Sequence, residues 1–182
     1  SNQQWCFFTD AYKSLLSEDS CDQRTKVSFD TFYDPIKKTT FQWINKYPGH
    51  WVSETRIFDS DIIVYRFADA ILFDAEIKLA KHDVSGAVVA LNKIAKRAYG
   101  KSDYYSSTLS ELAVKDAILK ERLKEFAAEG KLWWDYIRLG VVFQKVPSLT
   151  GRENEKNVLL WPVSQTTINE NPKIKQTEGY DK

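Results

Sequence analysis

Between residues 26 and 47 the apolar positions repeat every second residue. Val27, Phe29, Thr31 and Tyr33 alternate with Lys26, Ser28 and Asp30, and Phe41, Trp43 and Tyr47 alternate with Gln42 and Lys46. That period predicts strands, and the intervening "DPIKK" predicts the turn of a two-stranded hairpin. "YPGHW" at 47–51 has a Pro-Gly turn signature, so its aromatic flanks are expected at an exposed loop. From residue 65 the period becomes helical. Tyr65, Ala68, Leu72, Ala75 and Leu79 form one stripe, with Ala70 and Ala80 as small residues that admit a neighbouring helix, and the pattern stops at Lys81-His82. Asp83 or Ser85 caps a second helix that carries Val88, Leu91, Ile94 and Ala98 and ends at Gly100, so residues 65–100 read as a helical hairpin.

Ser110 caps a third helix. Leu119, Leu123, Phe126, Gly130, Trp133 and Ile137 step by three or four residues, which predicts one long helix over 110–140. Glycine inside a helix costs about 1 kcal/mol relative to alanine, so Gly130 is expected where another backbone packs closely. Trp133 and Trp134 would fill the two sides of that crossing, and Asp135 would pair with Arg138 at i, i+3. A short helix is expected at "TDAYKSLL" with Thr9 or Asp10 as its cap, and after Gly140 a surface loop, a buried extended "VLLWPV", a turn of helix at "TTINENP" and an extended tail. Phe73, Phe126, Trp133 and Trp161 are expected in the core. The fold class is mainly α: a tetratricopeptide-like hairpin and a further long helix, with a small β-hairpin and irregular loops over 1–64 and a tail over 141–182.

The chain of 182 residues is 43% hydrophobic, enough for one domain or a portion of a larger protein. It opens Ser-Asn-Gln-Gln and has no methionine, as expected of a piece of a longer product. A net charge of +1 supplies no field for nucleic acid or an anionic membrane surface. Apolar runs such as Ile62-Ile63-Val64 are far below the roughly 20 residues that span a bilayer. Cys6 and Cys21 are compatible with one exported bridge or two thiols.

Glu121, Glu125 and Glu129 lie at i, i+4 and i+8 on one helix face, a row that repels itself unless cations answer it; Arg122, Arg66 and Arg97 are the candidates. Glycoside hydrolysis needs two carboxyl groups facing each other across the scissile bond, which a single row does not provide, so the row reads as an ion-pair network and not as catalytic. His50 and His82 lack a second ligand at metal spacing, neither cysteine has a nearby histidine, and no GxSxG, P-loop or GxGxxG pattern occurs. No catalytic residue, metal or cofactor is expected. Trp43, Tyr47, His50 and Trp51 surround the Pro-Gly turn and have two readings: packing of the hairpin, or a platform for the apolar face of a sugar whose hydroxyls Asn45 or Lys46 would reach.

Four segments taken in order carry a resemblance. "YRFADAILFDAEI" (65–77), "ALNKIAKRA" (90–98), "KERLKEFAAEGKLWWDYIRLG" (120–140) and "LLWPVSQTTINENPKIKQTEGY" (159–180) resemble the carboxy-terminal half of the SusD/RagB family of surface glycan-binding lipoproteins of Bacteroidetes, with "CDQR" at 21–24 a weaker match. Leu132 and Ala95 stand where that family usually has arginine, and "QTEGY" replaces its "QNPGY". The resemblance implies non-catalytic oligosaccharide binding at the outer membrane, an amino-terminal lipid anchor absent from this chain, and delivery to a SusC-like TonB-dependent transporter. It also implies that Arg66, Glu76, Arg97, Glu125 and Glu129 tie helices together. The alternative is a tetratricopeptide-like protein-interaction module that binds no sugar.

Overall fold

The computed structural model describes residues 7–180. They form two compact units, one reaching Leu132 and one starting at Trp133. The first opens with α1 (Asp10–Leu16), whose cap is Thr9, its side chain accepting from the Tyr12 N–H, and α2 (Arg24–Ser28) follows. β1 (Phe29–Asp34) and β2 (Thr39–Ile44) pair antiparallel with Phe29 opposite Ile44 and Asp30 opposite Trp43. Asp34 Oδ1 accepts the Ile36 and Lys37 N–H groups, which closes the turn at "DPIKK". Val27 lies in α2 and Tyr47 beyond β2, so neither extends the strands as their alternation predicts. A second hairpin, β3 (His50–Val52) with β4 (Thr55–Ile57), follows Gly49 at φ +63°. A Cβ on Gly49 would sit 2.2 Å from the Ile57 carbonyl oxygen, so this turn needs glycine for space as well as for backbone angle.

α3 (Phe67–Ala80) and α4 (Val84–Tyr99) form the helical hairpin, α4 capped by Asp83, whose side chain accepts from the Gly86 N–H. Ala68, Leu72, Ala75 and Leu79 of α3 meet Ala87, Val88, Ala90, Leu91 and Ile94 of α4. Alanines on both sides let the two helices lie close. Ala70 and Ala80 are exposed and do not serve that purpose, and Tyr65 lies outside α3 with its side chain in solvent. α5 (Glu111–Glu125), capped by Ser110, closes the core with Val114, Ala117 and Ile118, and Phe126 completes it.

The expected long helix over 110–140 is interrupted after Glu125. The carbonyl of Glu125 accepts from Lys46 Nζ at 2.6 Å and Arg66 Nη2 at 2.7 Å, while the Glu129 N–H turns to the Phe126 carbonyl. Two cations therefore take the place that the Glu129 N–H would hold in a continuing helix. Ala128 and Gly130 then adopt left-handed backbone angles, φ 59° and 72°, and the chain restarts as α6 (Leu132–Arg138). Gly130 is exposed and a Cβ there would meet nothing within 4 Å. No neighbouring backbone crosses it, contrary to the close-packing expectation; its φ is the reason for glycine.

In the second unit, α7 (Val142–Lys145), a 3₁₀ turn (Pro147–Leu149) and α8 (Gln165–Glu170) are joined by irregular chain. The tail side chains hold the backbone of residues 160–163. Gln176 makes two hydrogen bonds to Val163, Thr177 Oγ1 donates to the Trp161 carbonyl at 3.1 Å, and Tyr180 Oη donates to the Leu160 carbonyl at 2.9 Å. "VLLWPV" is not buried: Trp161 is 79% exposed, because its backbone, not its side chains, is what the tail engages.

Candidate functional site

Glu121 and Glu125 lie on α5 while Glu129 falls in the turn beyond its end, so the row is not one helix face as its spacing predicts; it is met by cations from four distant segments. Arg24, only 5% exposed, forms a two-pronged pair with Asp22, Nε–Oδ1 and Nη2–Oδ2 both at 2.8 Å. Its Nη1 reaches Glu121 Oε2 at 2.7 Å and Glu125 Oε2 at 3.3 Å. Glu121 Oε1 accepts from the hydroxyls of Tyr99 and Tyr105, both at 2.6 Å. Arg66, just before α3, donates Nη1 to Glu125 at 2.6 Å and Nε and Nη2 to Glu129 at 2.9–3.2 Å. Arg97 of α4 pairs with Glu125, and Lys46, beyond β2, with Glu129. Each carboxylate thus has a fixed cation, as buried charges require.

Arg122 does not answer this row. Adjacent helix positions do not share a face, so it points to Asp69 and Glu76, each 3.6 Å away, and lies over the Phe73 and Phe126 rings at 4.8 Å. Phe126 also lies under Arg66 at 4.9 Å and Lys131 at 4.5 Å, so the ring is a cation platform as well as a core residue.

Burial pushes the carboxyls of Glu125 and Glu129 up, but the hydrogen bonds from Arg66, with the neighbouring cations, outweigh it and leave both below the ordinary carboxylate value. Both stay ionised at neutral pH. Neither is suited to general acid catalysis, which needs a proton held near the working pH. For Tyr99 and Tyr105, burial and the Glu121 charge push the hydroxyl up, so they remain neutral donors.

The aromatic residues predicted around the Pro-Gly turn are distributed over several elements. Trp43 is half-buried on β2, opposite Asp30. Tyr47 lines a cavity of about 250 Å³ with Phe58, Ile62, Ile63 and Glu129, and Trp43, His50 and Trp51 do not line it. Neighbours along β3, His50 and Trp51 face opposite sides of the strand. His50 pairs with Asp59 at 3.2 Å, whereas Trp51 is 64% exposed beside Arg56, whose guanidinium is 5.7 Å from its ring and 5.5 Å from that of Phe58. Trp51 is therefore the solvent-exposed indole of the four, with the Arg56 guanidinium over its ring. Asp135 and Arg138 pair at 2.9 Å, Trp134 is 63% exposed, and Trp133 lines a groove with Val158–Pro162 and Tyr180.

Sequence reasoning did not place Lys46, Lys124, Tyr99 or Tyr105 in this network, and it met Asp22 and Arg24 only within "CDQR", the weaker match at 21–24, without assigning them a role. The available signal was indirect: three ridge carboxylates demand more charge than Arg66 and Arg97 supply. Cys21 is exposed without a disulfide partner among the described residues, and Cys6 lies outside them. Among the described residues no group of three metal-ligating side chains converges and no helix is long and apolar enough to cross a membrane.

The family model for the SusD family matches residues 18–180. The chain is 27% identical over 175 residues to the SusD-like protein P38 of Formosa agariphila, an alignment covering 90% of this chain and 34% of that protein. It is also similar to the crystal structure of a SusD superfamily protein from Bacteroides fragilis, with a TM-score of 0.70 and 26% identity over 93% of this chain and 40% of that one. A second SusD superfamily structure, from Bacteroides vulgatus, shares the fold at a TM-score of 0.73 and 21% identity, covering 94% and 44%. The chain thus spans between about a third and somewhat under half of the length of these relatives.

Proposed function

The chain belongs to the SusD family, and from that premise we propose that it is part of a non-catalytic glycan-binding protein. In this reading the protein is a lipid-anchored outer-membrane lipoprotein exposed at the bacterial cell surface. It binds oligosaccharide there and passes it to a SusC-like TonB-dependent transporter, without cofactor or metal. The observation that carries the reading is the family match running through the scaffold described above. The charge network supports it, because the one row of carboxylates that invites a hydrolytic reading is committed to cations. Trp51 supplies a stacking face, with Arg56 beside it. Trp43, Tyr47 and His50 are subsidiary contacts in the same proposal.

Binding is tested by a glycan array and calorimetry on the full-length protein, with Trp51→Ala and Trp43→Ala as variants. Stacking contributes about 1 kcal/mol, so Trp51→Ala is expected to weaken binding roughly fivefold or more. Saccharide turnover abolished by Glu125→Gln would overturn the non-catalytic reading. A second reading, a protein-interaction module, is favoured by the outward face of α3, where Phe67 and Ile77 are 79% and 55% exposed. Co-purification with a transporter and no saccharide binding would select it.

A further inference from the structure

A cavity of about 530 Å³ opens over the charge network, lined by Arg24, Ser28, Asn45, Lys46, Arg66, Arg97, Lys124, Glu125 and Glu129 among others. Its two carboxylates are sequestered beneath its cations. The side chains of Glu125 and Glu129 are 2% and 1% exposed, against 57% for Arg97, 27% for Arg66 and 17% for Lys46. A solute entering the cavity therefore meets guanidinium and ammonium groups first.

Charge is also in excess there. The five lining cations face four carboxylates, Glu125 and Glu129 in the wall with Asp22 and Glu121 bound behind Arg24. Lys124, 1% exposed, is held within the wall: its Nζ lies 3.4 Å from both Asp22 Oδ2 and the Tyr99 hydroxyl, so it adds charge to the cavity and no free donor. Three side chains in the wall keep donors without a partner among the described residues. Arg97 spends only Nη2 on Glu125, which leaves Nε and Nη1 free, and the Asn45 side-chain amide has no hydrogen bond among the described residues. The Ser28 hydroxyl is buried, 1% exposed for the residue, and has no hydrogen-bond partner among the described residues. An orphaned buried donor is rare and calls for an acceptor.

We infer that this cavity binds an anionic group, a carboxylate or sulfate carried by an acidic oligosaccharide, through Arg97, Asn45 and Ser28. Planar guanidinium donors suit both groups, and the amide and hydroxyl suit the adjoining sugar oxygens. This assignment rests on the glycan-binding reading and narrows it to uronate-containing or sulfated glycans. A free inorganic anion has the same chemistry, so the test separates the two sources.

The full-length protein is screened on an array of neutral, uronate-containing and sulfated oligosaccharides. Calorimetry at low salt then measures a uronate oligosaccharide, its neutral counterpart and sodium sulfate alone, against wild type, Arg97→Gln and Ser28→Ala. Acidic members are expected to dominate, with binding weakened at least tenfold in Arg97→Gln and severalfold in Ser28→Ala while the unfolding midpoint of Arg97→Gln stays near that of wild type. Binding confined to neutral members would overturn this inference and leave the glycan reading standing; binding of no saccharide would overturn both. Sulfate bound through Arg97 with no acidic saccharide bound would refute assignment of the cavity to a glycan. Acidic binding unchanged in both variants would place the anion elsewhere and refute it as well.

Discussion

Glu125→Gln isolates the claim that the acidic row is architecture. The substitution keeps the shape of the side chain and removes its charge. Glu125 is 3% exposed and contacts three guanidiniums: Arg66 at 2.6 Å, Arg24 at 3.3 Å, and Arg97. Removing one partner of a buried ion pair costs about 3–5 kcal/mol, because the remaining charge stays desolvated. Arg24 keeps Asp22 and Glu121, and Arg66 keeps Glu129, while Arg97 is more than half solvated. The loss should fall at the low end, about 3 kcal/mol. Arg97→Gln removes a largely exposed cation and leaves Glu125 with two others, so it should cost about 1 kcal/mol or less. Urea unfolding of the full-length protein and the two variants measures both, provided the slope with denaturant is unchanged. A Glu125→Gln protein within about 1 kcal/mol of wild type would refute the reasoning, since a carboxylate holding three cations together cannot be removed at the cost of a surface pair.

Two further predictions address pH and the break after α5. Glu125 and Glu129 are held below 4.5 and Asp22 below 3.8, in each case with burial opposed and outweighed by cationic partners. The folded chain then binds fewer protons than the unfolded chain in acid. This stabilisation is complete at neutral pH and is lost as pH falls through about 4.5 and below; circular dichroism melts from pH 7 to pH 3 should show a steep decline that Glu129→Gln makes shallower. Gly130→Ala is expected to cost about 1–2 kcal/mol through its left-handed backbone alone, with Gly130→Asn milder, since nothing stands near the added carbon. Equal loss for both in thermal melts, with larger side chains progressively worse, would restore the close-packing explanation.

Much of the scaffold was legible because its signals are local. Thr9, Asp83 and Ser110 cap the helices that the pattern begins after them, and Leu72, Ala75, Leu91 and Ile94 face inward at the spacing that marks them. The hairpin turn at "DPIKK" was equally local, since Asp34 bonds its own turn. Four ordered segments were enough to indicate the family.

By itself the sequence determined the helical hairpin, the first β-hairpin and the presence of an acidic ridge needing cations, all of which depend on residues within a turn or two of each other. It did not determine where α5 ends, since the apolar stripe runs on past Gly130 while the terminating donors, Lys46 and Arg66, lie 79 and 59 residues away. Nor did it determine which cations meet the ridge, because Arg24 reaches Glu121 over 97 residues. Periodicity records which face of an element turns inward. Only the folded chain decides which charge that face will meet, because a buried ion is stabilised by whatever neighbour the topology delivers.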